Sequence, residues 1–125
     1  MAKKDDRPID VGLVALAGKD EVDAVEWWKQ RFGLIAAIPQ ETARVGALTP
    51  QLRELSRLDP AERKRLTKAR MIAFVQLPAD QQAPIMAART AAFAIDRTLM
   101  DGDEAIVNEL KPSVPGADAV YNPPR

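Results

Sequence analysis

The chain has 125 residues, 18 Lys+Arg against 18 Asp+Glu, and neither histidine nor cysteine. That is the length of one domain with its own core, and zero net charge leaves no global field directed at nucleic acid or anionic lipid. The two absences exclude disulfides, thiolate and imidazole metal sites, a cysteine nucleophile and a serine–histidine dyad, so the protein is expected to be non-catalytic, without cofactor or metal.

Apolar residues make up 46% and charged residues 29% of the chain, which is a globular balance. Alanine, leucine, glutamate, lysine and arginine dominate and β-branched residues are sparse, which favours helix. The expected fold is all-α: a compact, irregular bundle of four to five helices over residues 10–110. A flexible arm at residues 1–9 and an extended, proline-rich tail at residues 111–125 flank it.

The N-terminus begins with charge, but Asp5, Asp6 and Asp10 interrupt it and the apolar run at 11–17 has only seven residues. It does not read as a signal peptide. No stretch approaches the roughly 18 apolar residues of a membrane span, and a cytoplasmic location is expected. Residues 11–17 suit a short helix capped by Asp10 or an extended segment.

Asp20 is a candidate N-cap for the next helix, with Glu21 and Asp23 in the first turn, where the dipole favours acids. This helix should end near Ile38, before Pro39. It carries both tryptophans, side by side, out of six aromatic residues in the chain. At about 100° per residue, Val25, Trp28, Phe32 and Ile35 share one face. Trp27, Leu34 and Ile38 form a second strip beside it, with Arg31 among them. The apolar arc then spans roughly 200°, about twice what a surface helix needs. Either the helix is central and covered on two sides, or the second strip meets another chain, or it docks on a membrane surface, a reading weakened by the few basic residues on this helix. Gly33 weakens the helix by about 1 kcal/mol relative to alanine, which a close approach by another helix would justify.

Residues 39–48 read as a connection. Thr49 as N-cap and Pro50 at the first helical position then start a short helix with Leu52 and Leu55 inward. Asp59, Pro60 and Glu62 make a second capping signal, for a helix running to about Gln76. A further helix starts at Pro78 or near Ala83 and continues to Met100, with Asp101–Gly102 as its stop. Residues 103–110 form one more short helix. Asp101 and Asp103 around a glycine resemble the start of a calcium loop, but the later ligand positions hold Ala105, Ile106, Val107 and Asn108, so capping explains them better. From Pro112 onward, four prolines fall within thirteen residues, which suggests a segment lying extended, free or on a partner.

A faint nineteen-residue repeat aligns Ala69–Phe74 with Ala88–Phe93, bringing Arg70 onto Arg89. Its physical reading is two similar helices, each entered through a proline turn and packed as an antiparallel hairpin. Arg70, Arg89 and Asp96 would then form a structural ion pair within or between them.

Two sets of candidate partner-binding residues follow. Trp27, Arg31, Leu34, Ile38 and Tyr121 would dock another protein or a second copy of the chain, because tryptophan and arginine dominate interface hot spots. This suits a small accessory or adaptor subunit of a larger assembly. The alternative is a regulatory protein binding nucleic acid. Residues 53–70 hold Arg53, Arg57, Arg63, Lys64, Arg65, Lys68 and Arg70 against three acids, a local surplus of four, while the first 26 and last 30 residues each carry a deficit of three. Clustered cations suit phosphate, although no aromatic is interleaved for base stacking. The plainer alternative is a solvated face paired with the acidic ends of the same molecule.

Overall fold

The computed structural model describes Leu16 and residues 19–121, and these are all-helical. In chain order they form α1 (Glu21–Ala36), α2 (Glu41–Ser56), α3 (Pro60–Val75), α4 (Ala79–Ile95), α5 (Arg97–Leu110), a 3-10 turn (Lys111–Ser113) and α6 (Ala117–Tyr121). Among the described residues no helix is long and apolar enough to cross a membrane. The arm at residues 1–9 and the run at 11–15 lie outside the described residues. Leu16 is fully buried in the core.

α1 and α3 begin where their caps are written. Asp20 accepts a hydrogen bond from the Asp23 backbone N–H at 2.9 Å, and Asp59 from that of Glu62 at 3.0 Å. Each satisfies one of the orphan donors of a helix start.

α2 begins nine residues earlier than the capping signal implied. Gln40 stands at its N-cap without a capping side chain, and Pro50 lies inside the helix. Thr49 is not a cap either: its Oγ1 donates to the Val45 carbonyl at 2.7 Å. Pro50 withholds an N–H from the Gly46 carbonyl, a cost of roughly 3 kcal/mol in a helix interior. The buried side of α2, formed by Leu48, Gln51, Leu52 and Leu55, offsets it by packing.

The break expected at Asp101–Gly102 falls at Asp96 instead. Asp96 leaves helical geometry (φ −129°, ψ 92°), ending α4 and capping α5 by accepting from the Leu99 N–H at 3.0 Å. α5 then runs through Gly102 and buries Leu99, Asp103 and Val107 on one stripe.

α1 is central. It packs most extensively on α3 and also on α4 and α2, while α2 lies along α4. The wide apolar arc of α1 is therefore covered on more than one side, with Ala24, Trp28, Phe32 and Ile35 buried. The expected α3–α4 hairpin does not form, since the two make little direct contact. Their apolar faces turn to α1 and α2. Gly33 meets no close neighbour: a Cβ there would lie 4.0 Å from Gln81 Oε1.

The expected extended tail is folded as far as Tyr121. Val114 and Ala117 are buried with Met71 and Val107 in a second apolar cluster. Gly116 turns the chain at φ +85°, and a Cβ there would stand 2.9 Å from Val75 Cγ1. Both the left-handed backbone and the close contact require glycine. Residues 122–125 lie outside the described residues.

Candidate anion-binding cleft

The residues expected to dock a partner are mostly committed to the interior. Arg31 is buried, with its guanidinium 4.6 Å from the Trp27 ring centroid. Trp27 is half-buried and meets Trp28 edge-on at 5.1 Å. Rings continue inward from Trp28 to Phe32 at 5.4 Å, Phe74 at 6.1 Å and Tyr121 at 5.5 Å. Tyr121 is half-buried at the end of this series. Arg89 joins the series to the last aromatic, lying 5.4 Å from the Tyr121 ring and 4.6 Å from Phe93. Of the expected strip, Leu34 is exposed and Ile38 half-buried.

Under Tyr121 lies an ionic cluster. Arg70 of α3 donates two bonds to Asp103, at 2.8 and 3.0 Å, and Arg89 of α4 donates a third at 3.0 Å. The partner of the two repeat-related arginines is Asp103, not Asp96. Burial by itself would raise the Asp103 pKa, but Arg70 and then Arg89 hold it below the ordinary carboxylate range. Burial likewise opposes the charge on Arg70, and Asp103 outweighs it, so the Arg70 pKa stands above its usual value. Burial pushes the Tyr121 hydroxyl up against the pull of the two arginines. Both carboxylate oxygens of Asp103 are engaged by the two arginines, as befits a structural network, while Arg89 Nε is buried without a hydrogen-bond partner.

The basic stretch divides in two. Lys64 pairs with Glu109 of α5, Arg65 with Glu62, and Lys68 with Glu21 of α1 at 3.5 Å. Arg65 also donates to the Lys19 carbonyl at 2.6 Å, tying down the chain that enters α1, and its hydrogen bond to Glu62 lowers that carboxyl's pKa. Lys64 and Lys68 are thus matched by the acidic ends of the same molecule, and Arg65 by an acid within the stretch itself.

Arg53, Arg57 and Arg63 converge instead on one open cleft of about 460 Å³, lined also by Ser56, Asp96 and Thr98. Arg53 and Arg57 stand at the C-terminal end of α2, where the helix dipole favours cations. Arg63 comes from the first turn of α3, where the dipole opposes a cation. Its guanidinium tip reaches α5, and a Cβ on Gly102 would lie 2.9 Å from its Nη2. Among the described residues no carboxylate is bonded to Arg57 or Arg63, whereas Asp96 lies 4.0 Å from Arg53 and spends its other oxygen on capping.

Comparison with family models, curated proteins and solved structures finds no match for this chain. Among the described residues no three acidic side chains gather as metal ligands would.

The convergence of three arginines was missed in the sequence because it depends on α2, α3 and α5 meeting at one place. The available signal was Arg63 itself, a cation in a helical first turn with no acid three or four residues along to pair it.

Proposed function

We propose that the protein is a non-catalytic helical binding protein whose recognition site for an anionic ligand is the cleft formed by Arg53, Arg57 and Arg63. One observation carries this reading: Arg63 projects into the cleft against its helix dipole, beside two further guanidinium groups, with a single carboxylate nearby. Guanidinium groups bind oxyanions through paired, charge-assisted hydrogen bonds. Among the described residues the cleft holds one carboxylate and no second acid or base to move a proton, which favours binding over chemistry.

The test is thermal melting of the intact protein in pyrophosphate, in sulfate and in heparin, beside an Arg57→Glu/Arg63→Glu variant. A ligand that binds only the folded state raises the midpoint with concentration. A midpoint that rises for wild type and not for the variant supports the site. Equal midpoints for both proteins in all three anions would remove it.

A second reading places a protein partner on the solvent-facing remainder of the α1 strip, since Leu34 is 40% exposed. Leu34→Asp should then abolish self-association or partner capture in sizing experiments without lowering stability. A wild type that elutes as a monomer and captures nothing ends that reading.

A further inference from the structure

We infer that the ligand of the arginine cleft is a small phosphomonoester with a polar organic part, such as a sugar or polyol phosphate; this rests on the anion-binding reading above. Charge is the first argument. Three guanidinium groups against Asp96 leave a local surplus of two positive charges. A phosphomonoester carries about −1.5 to −2 at neutral pH and three acceptor oxygens.

Size is the second argument. A cleft of about 460 Å³ lies within the roughly 300–1,000 Å³ of small-molecule sites. It is larger than a bare phosphate needs and leaves room for an organic part.

The polar lining is the third. Thr98 and Ser56 place exposed hydroxyls beside the arginines. Ser56 donates its own proton to the Arg53 carbonyl at 2.6 Å, so its oxygen is left to accept from a ligand hydroxyl.

An extended nucleic acid fits less well, for two reasons. A backbone-tracking site needs a row of free cations, but beyond Arg63 the next three basic residues pair with Glu109, Glu62 and Glu21. Single-strand recognition also needs aromatic platforms, and among the described residues no aromatic side chain lines the cleft.

The deciding experiment is calorimetric titration of the full chain with ribose 5-phosphate, ribose, inorganic phosphate and a twenty-residue oligothymidylate, at low and moderate salt. Ribose 5-phosphate should bind with one site per chain, more tightly than inorganic phosphate, and ribose should not bind. Arg57→Ala and Arg63→Ala should each weaken ribose 5-phosphate by about 10- to 100-fold, the range for losing a hydrogen bond to a charged group. Gly102→Ala, which displaces the Arg63 tip, should weaken binding while the protein stays folded, a readout independent of any loss of arginine. Binding of the oligothymidylate alone, lost in the arginine variants, would overturn the compact ligand and leave the anion-binding site standing. Inorganic phosphate binding as tightly as ribose 5-phosphate would overturn the organic part. No binding of any anion, or binding indifferent to all three substitutions, would overturn both this inference and the site.

Discussion

Arg70 on α3 and Asp103 on α5, 33 positions apart, meet through two parallel N–H···O bonds of 2.8 and 3.0 Å with both side chains buried. Arg89 adds a bond from α4, so one carboxylate ties three helices together. Replacing it leaves two arginines facing each other without their counter-charge. Removing one partner of a buried pair typically costs about 3–5 kcal/mol, a large share of a domain's total stability. Asp103→Asn is therefore expected to lower the urea midpoint severely or to unfold the protein at room temperature. An Asp103→Asn protein with wild-type stability would mean that the network is hydrated and dispensable.

The same pair sets a pH dependence. Arg70 and Arg89 depress the folded-state pKa of Asp103 below its unfolded value of about 3.9. A depressed carboxylate contributes its full stability above the unfolded pKa and loses it as pH falls through the folded one. Wild type should thus be progressively destabilised below about pH 4, while Asp103→Asn has nothing to titrate there. The stability gap between the two should narrow as the solution is acidified, read from urea unfolding at a series of pH values. A constant gap would show that Asp103 carries no proton linkage to folding.

How far the sequence was legible depended on where the deciding interaction lay. α1 and α3 could be read closely because their caps, Asp20 and Asp59, act within three residues. The start of α2 could not, because Gln40 provides no capping side chain while Pro50 imitates a helix start. Asp96 concealed the α4–α5 break, since it directly follows the apolar run of α4 and caps α5 with no glycine or proline beside it to mark a stop. A helix stop at Gly102 would separate Asp103 from Leu99, whereas the continuous α5 places Asp103 between Leu99 and Val107 at a core position. Arg70 and Arg89 were recognisable as a pair through the repeat, but not their partner. The basic stretch was equally visible. Its division into paired and free cations was not, because Glu109 and Glu21 come from helices distant in sequence.

Three glycines sort by environment. Gly46 lies inside α2 with nothing within 4 Å of where a Cβ would stand, and Gly33 has only Gln81 Oε1 at 4.0 Å. Alanine at either position should stabilise the protein by about 1 kcal/mol through helix propensity. Gly116→Ala should do the reverse, because φ is +85° and Val75 Cγ1 is 2.9 Å away. Thermal melting of the three variants is the check. A midpoint that rises for Gly116→Ala would mean that the turn into α6 is not formed as described.

Trp27 is the position where a docking role and a structural one diverge most clearly. Its ring stacks edge-on against Trp28 and lies over the buried guanidinium of Arg31, so it closes the core from outside. Truncation would remove the ring contact and wet the arginine beneath it. A fully buried tryptophan costs about 3–5 kcal/mol on replacement by alanine, and the half-buried Trp27 should cost about 2 kcal/mol. Trp27→Phe keeps an aromatic face over Arg31 and should recover much of that loss, whereas Trp27→Leu keeps apolar bulk without the quadrupole and should recover less. The ordering phenylalanine above leucine above alanine, measured by urea unfolding, would identify Trp27 as the cover of Arg31. Wild-type stability in Trp27→Ala, together with loss of a partner from the intact protein, would return it to the role of a docking residue.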